Sequence, residues 1–273
     1  MGTNGRLSAS EIKHAGAHYT PPELARFLAR NICAHLQPRR GPIRVLDPAC
    51  GDGELLEALA LELPEKALRA CTLVGMENDP EALVEAKARL KRISGCAGFD
   101  LIRADFLEWS ANFRQAGLFG AGERLEEFDA VISNPPYVRT QVMGAVRAQE
   151  LAGQFGLTGR VDLYHAFALA MTDVLREGGV LGLLCSNRFL SIQSGTKLRN
   201  MLLTTYRLHD VFDLGDTKLF AAAVLPAIVI GVKGSNPGAE NCRFTKVYEL
   251  HKPAIDTELS YKDILDVYAP EQK

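Results

Sequence analysis

Between Arg44 and Cys185, short runs rich in β-branched and apolar residues alternate with longer segments of helical spacing, and this alternation restricts the chain to very few folds. The runs Arg44–Asp47, Thr72–Glu77, Leu101–Ala104, Phe128–Ser133 and Val180–Cys185 read as strands. The intervening segments Glu54–Leu63, Pro80–Ile93 and Leu163–Arg176 repeat apolar residues at the period of a helix with one buried face. Strands that alternate with helices pair in parallel and need crossover helices on the sheet faces. The expected fold is therefore α/β, a Rossmann-like, doubly wound and mostly parallel sheet. Leu208–Leu214 and Ala227–Val232 read as an antiparallel pair near the C-terminal edge.

An earlier helix is expected from Thr20-Pro21-Pro22-Glu23 to about His35, with Thr20 as N-cap and proline at the first helical position. Residues 1–17 are small and polar and read as a flexible leader, residues 18–233 as the working domain, and residues 234–273 as an extension of unassigned role. The stretch 138–160 interrupts the rhythm with Arg139, Arg147 and Arg160 among glycines and glutamines, the length and composition of a functional loop. No apolar run approaches a membrane span and no signal-peptide pattern opens the chain, so a cytoplasmic location is expected. The six cysteines fall at no zinc-ligand spacing, so no metal is expected and reduced thiols are. A net charge of −2 argues against tight, autonomous binding to a polyanion.

Ligands of open parallel sheets sit beyond the carboxyl ends of the strands, and four of these ends carry unusual residues. The first opens into Asp47-Pro48-Ala49-Cys50-Gly51-Asp52-Gly53, where glycines let backbone approach a ligand and Asp47 suits an ammonium rather than a phosphate. The second ends at Glu77, placed to accept a pair of ribose hydroxyls, although Asp79 before Pro80 also suits a plain helix cap. The third ends at Asp105-Phe106, an acceptor beside a flat apolar face. The fourth, Asn134-Pro135-Pro136-Tyr137, is the sharpest: two prolines cannot continue a ladder and hold Asn134 rigidly at the sheet edge. An amide oxygen fixed there, with the Pro135 carbonyl, can take both hydrogens of an aromatic amine and free its lone pair. Tyr137 then offers a ring on which an extruded base stacks.

This ordered set resembles the N6-adenine-specific DNA methyltransferases of restriction–modification systems, in the motif order that puts the cofactor-binding half before the Asn-Pro-Pro-Tyr half. The resemblance runs from about Ala17 to Val232 and includes Tyr19–Glu23, Asp162-Leu163-Tyr164-His165-Ala166-Phe167 and Glu177-Gly178-Gly179. It implies a class I S-adenosylmethionine-dependent methyltransferase fold with S-adenosyl-L-methionine as cofactor. Thr20, Asp47, Ala49, Gly51, Glu77, Asp105, Phe106 and Phe167 then line the cofactor pocket, and Asn134, Pro135, Pro136 and Tyr137 hold the adenine. Phe220 falls where relatives place a second aromatic against the flipped base.

The chain departs from its relatives in reading Ala221-Ala222-Ala223 where a lysine is frequent, and in ending at Lys273 without a full target-recognition domain. DNA is the implied partner, with a separate specificity subunit or a nuclease as further candidates. The same Asn-Pro-Pro-Tyr logic also serves methylation of RNA adenine or protein glutamine, and a non-catalytic cofactor-binding partner subunit is the remaining alternative.

Overall fold

The structure is a computed structural model that describes residues 20–37, 41–119, 127–137, 149–150, 153–156, 162–215, 225–234 and 241–247. The chain begins with α1 (Pro22–His35), followed by β1 (Ile43–Asp47), α2 (Glu54–Glu62), the short α3 (Glu65–Leu68), β2 (Cys71–Glu77), α4 (Pro80–Leu90) and β3 (Gly98–Arg103). It continues with α5 (Phe106–Phe119), β4 (Phe128–Ser133), α6 (Leu163–Val174), β5 (Leu175–Ser186), α7 (Thr196–Thr205), β6 (Tyr206–Asp213), β7 (Pro226–Lys233) and β8 (Arg243–Lys246). The strands form one sheet in the order β3-β2-β1-β4-β5-β7-β6-β8. Among the described strands only β7 runs against its neighbours, lying antiparallel between β5 and β6, so the anticipated doubly wound sheet and its antiparallel pair are both present. This is the fold of class I S-adenosylmethionine-dependent methyltransferases. β8, from the stretch read as an extension, adds a parallel strand outside β6.

The side-chain alternation of each strand divides the core in two. Val45, Ala130, Ile132, Val180 and Leu184 face a layer containing α1 and α2. Leu46, Val131, Leu181, Leu183 and Cys185 face the layer of α5, α6 and α7. Because both faces are covered, the central β4 is buried at every position, and its continuous apolar reading follows from that.

Glycine decides how closely one helix approaches. A Cβ on Gly182 of β5 would stand 2.3 Å from Ile32 Cδ1 of α1, so the bare backbone there seats the helix that carries Thr20 at its start. Gly182→Ala is expected to overpack this contact and lower stability by about 1–3 kcal/mol, read from the denaturation midpoint.

Two local expectations are corrected, and one helix is added. Pro21, not Thr20, holds the N-cap position of α1, no side chain caps it, and Pro22 opens the first turn. The extended backbone at Pro21 moves Thr20 one residue further out, where its hydroxyl meets the active site instead. α6 stops at Val174 rather than Arg176, because β5 begins at Leu175 and the Arg176–Gly179 segment bulges out, anchored by Arg176 on Asp129 at 2.6 Å. The helix α5 had no sequence expectation. Its apolar spacing Phe106, Trp109, Phe113 was legible, but Asp105 and Phe106 were read as ligand groups and not as the start of a helix.

Candidate active site

The site is built where β1, β2 and β4 end side by side. Val45 and Leu46 of β1 pair with Ala130 and Val131 of β4, so the residues following both strands emerge at the same edge. On the other flank Asp47 pairs with Gly75 of β2. A Cβ on Gly75 would meet Cys50 Sγ at 2.8 Å, so this glycine lets the turn after β1 fold down onto β2.

That turn is stitched in place by backbone groups. Cys50 N–H donates to the Met76 carbonyl at 2.9 Å, and Gly51 N–H donates to Glu77 Oε2 at 3.1 Å. Gly51 and Gly53 adopt φ of 51° and 84°, values that favour glycine over any residue with a Cβ. Glu77 thus has a duty its sequence position did not reveal, since Oε1 also accepts the Asn78 and Asp79 amides at 2.7 and 3.0 Å. Asp79 itself caps α4 by accepting from Glu81 N–H at 2.9 Å.

A second fastening, absent from the sequence reading, comes from α4. Arg89 Nε donates to the Asp52 carbonyl at 2.9 Å, while its guanidinium reaches Asp52, Glu54 and Glu57 at 2.7, 2.6 and 2.7 Å. One cation therefore pairs with three carboxylates beneath the turn and holds its main chain as well. Nothing in the spacing of α4 distinguishes Arg89 from Lys87, so only the packing of α4 on α2 assigns it this role.

Asp47 is the buried carboxylate of the turn. It is 1% exposed, Oδ1 accepts from Ala49 N–H at 3.1 Å, and Oδ2 has no hydrogen-bond partner. Burial raises its carboxyl to about 7, against the relief given by Ala49 and Ser133. A buried carboxylate oxygen lacking a donor at a ligand-facing strand end fits a cationic amine, and the donor set therefore fits the amino-acid end of S-adenosylmethionine.

Asp105 has a local structural duty. Its Oδ1 starts α5 by accepting from Leu107 and Glu108 N–H at 2.8 and 3.3 Å. Phe106 and Phe167 are buried with ring centroids 5.5 Å apart, so these two residues do come together.

At the end of β4 the amide of Asn134 is 9% exposed and held from both sides. Its Nδ2 donates to Thr20 Oγ1 at 3.1 Å, and Tyr137 OH donates to its Oδ1 at 2.5 Å. Burial pushes the Tyr137 phenol well above its usual range, which keeps it a donor. The Tyr137 ring meets Tyr164 edge-on at 6.2 Å, which ties the Asn-Pro-Pro-Tyr segment to α6.

The basic residues divide by use. Lys197 donates to the Phe155 and Gly156 carbonyls, and Arg199 to those of Phe189 and Ile192, so both brace the main chain. Arg188 is exposed just beyond β5. Phe220, Tyr19, Arg139, Arg147 and Arg160 lie outside the described residues. Among the described residues no group of three or more His, Cys, Asp or Glu is placed to hold a metal ion, and no helix is long and apolar enough to cross a membrane.

Comparison with known proteins agrees with this architecture. The chain is 42% identical over 258 residues to the type II methyltransferase M.BanIII of Aneurinibacillus aneurinilyticus, covering 92% of this chain and 44% of that protein. It is 28% identical over 259 residues to M.BstVI of Geobacillus stearothermophilus, covering 85% of this chain and 45% of the relative. The chain thus spans less than half the length of these curated relatives. Among solved structures, a protein described as a class I S-adenosylmethionine-dependent methyltransferase from Listeria monocytogenes shares the fold with a TM-score of 0.65 at 21% identity, over 89% of this chain and 71% of that one. The type I restriction-modification methyltransferase subunit from Streptococcus thermophilus gives 0.61 at 20% identity, over 80% and 45%. Residues 76–220, which hold Glu77, Asp105 and the Asn134–Tyr137 segment, match the family described as Eco57I restriction-modification methylase. With over half of its length in that match, the chain belongs to the Eco57I restriction-modification methylase family.

Proposed function

We propose that this chain is the catalytic portion of a restriction–modification DNA methyltransferase that places a methyl group on the N6 amino group of a flipped-out adenine, using S-adenosyl-L-methionine. The observation that carries the reading is the Asn134 amide, buried and held by Thr20 and Tyr137 beside the Asp47–Gly53 turn.

When bound, S-adenosylmethionine supplies an electrophilic sulfonium methyl. The chain's own residues bind and orient. Asp47 Oδ2 would pair with the cofactor ammonium, the Gly51 backbone and Glu77 would hold the ribose, and Asp105 with Phe106 and Phe167 would hold the adenine ring, with Ala49 completing the wall. On the substrate side, Asn134 Oδ1 and the Pro135 carbonyl accept hydrogen bonds from the two N6–H groups. This would hold the amine out of conjugation and free its lone pair for attack. Pro136 keeps the segment rigid, and Tyr137, with Phe220 as a second aromatic, stacks on the extruded ring.

The S. thermophilus neighbour is a methyltransferase subunit of a type I restriction-modification system. By the same logic we propose DNA as the macromolecular partner and a recognition module outside these residues as the reader of sequence. With a formal charge of −2, this chain alone is expected to bind short duplexes weakly, with little sequence preference and a steep loss of binding on adding salt. Fluorescence anisotropy across a salt series measures this, and a tight site-specific complex formed by the chain alone would overturn it.

The activity is tested by incubating the chain with labelled cofactor and mixed genomic DNA, with and without neighbouring gene products, followed by nucleoside analysis. Label in N6-methyladenine supports the reading. Label in cytosine, in RNA or in protein glutamine instead would overturn it.

A further inference from the structure

Two chain segments 114 residues apart meet at one buried hydrogen bond, Asn134 Nδ2 to Thr20 Oγ1 at 3.1 Å. Thr20 is 8% exposed and Asn134 9%, so water competes little for either group. An amide has two chemically opposite ends: one oxygen that accepts and one NH2 that donates. A substrate amine presents hydrogens, so only the oxygen end can hold it, and an amide turned by half a revolution would set donor against donor.

We propose that Thr20 is a positioning residue that anchors the Asn134 amide by accepting from its NH2 and so holds its oxygen in place beside the substrate amine. The proposal rests on the reading of Asn134 as the acceptor of substrate N–H given above. The hydroxyl oxygen of Thr20 takes the Asn134 NH2 on the side away from Tyr137. The carbonyl end is thereby left on the side where Tyr137 OH already donates to it at 2.5 Å. That phenol occupies the position of a donor facing Oδ1, as a substrate N–H would. The anchor is itself well held, because Thr20 precedes α1, whose Leu28 and Ile32 pack against the bare backbone of Gly182 in β5.

This differs from a cofactor-lining role for Thr20, and the two separate experimentally. Thr20→Val keeps the shape and deletes the hydroxyl, whereas Thr20→Ser keeps the hydroxyl. In single-turnover transfer to an adenine-containing duplex, Thr20→Val is expected to slow the rate by about 10- to 100-fold while cofactor affinity by titration stays within about threefold of wild type. Thr20→Ser should restore most of the rate. In an Asn134→Ala background, Thr20→Val should cause no further loss, because the group it orients is gone.

A readout independent of activity is hydrogen exchange of the Asn134 side-chain amide, followed by NMR. Exchange should be slow in wild type and Thr20→Ser and markedly faster in Thr20→Val. Unchanged exchange in Thr20→Val, or a rate loss matched by an equal loss of cofactor affinity, would overturn the proposal. If wild type transferred no methyl to adenine, the proposed function would fall, and the exchange experiment would still decide whether Thr20 anchors the amide.

Discussion

Asn134→Ala is expected to cut single-turnover methyl transfer on the order of 100- to 1000-fold, the usual consequence of losing one preorganised contact to developing charge. The contact strengthens as the nitrogen approaches tetrahedral geometry, so the loss should appear in the chemical step and not in cofactor affinity. Truncation also removes one hydrogen bond from each of the Thr20 and Tyr137 hydroxyls, which both bond to the Asn134 amide. A stability loss of about 1–3 kcal/mol is therefore expected alongside, and a parallel melting curve separates it from catalysis. Tyr137→Ala acts on a different step. It removes the stacking face, worth about 1–3 kcal/mol per base where such values have been measured. On a duplex with the target adenine opposite a mismatch, flipping is easier, so Tyr137→Ala should recover partly and Asn134→Ala should not. Equal recovery of both, or of neither, would show that the roles are not separable. If Tyr137 stacks on the base as proposed, Tyr137→Phe should keep most of the rate, because the ring face is retained.

The second large effect lies at Asp47 and depends on pH. In the cofactor-free protein its carboxyl titrates at about 7, raised from 3.8 chiefly by burial. Only the ionised form pairs with an ammonium, so affinity should be level above this range. It should then fall by up to about tenfold for each pH unit below it. Asp47→Asn removes the charge, and affinity at about pH 8 should drop on the order of 100-fold while its pH slope disappears. Stability should move the other way. A group whose folded pKa lies above its unfolded value makes the fold lose stability as pH rises from about 4 to 7. Asp47→Asn should therefore melt higher than wild type at about pH 8 without cofactor, with the gap closing as pH falls toward about 4. Isothermal titration and thermal melts across this range measure both. Wild-type affinity that ignored pH would remove Asp47 from the ammonium site.

These two residues also show how the sequence and the tertiary structure share the specification of this protein. Local sequence patterns carried β1 to β7 and the helices α1, α2, α4 and α6, because buried parallel strands must be apolar at nearly every position and the helices between them must keep a 3.6-residue period. Motif chemistry likewise put Asp47, Glu77 and Asn134 at strand ends, since glycine and proline there allow only a few backbone paths. The sequence was silent wherever a side chain's partner lies far along the chain. Thr20 reads as a helix cap from its neighbours alone, yet one extended residue at Pro21 carries its hydroxyl to Asn134. Glu77 reads as a ribose acceptor, yet its carboxylate also clasps the turn 26 residues earlier. Arg89 looks like any cation on an amphipathic helix until α4 packs against α2 and brings three carboxylates around it. Asp105 reads as a ligand group and proves also to start α5, because a helix needs an acceptor for its first amides and this carboxylate is in reach. Residue type and local period are properties of neighbours in sequence and can be read directly. Orientation of an amide, the sharing of a carboxylate and the raised pKa of Asp47 depend on what burial brings near, and only the packed sheet and its helices decide that.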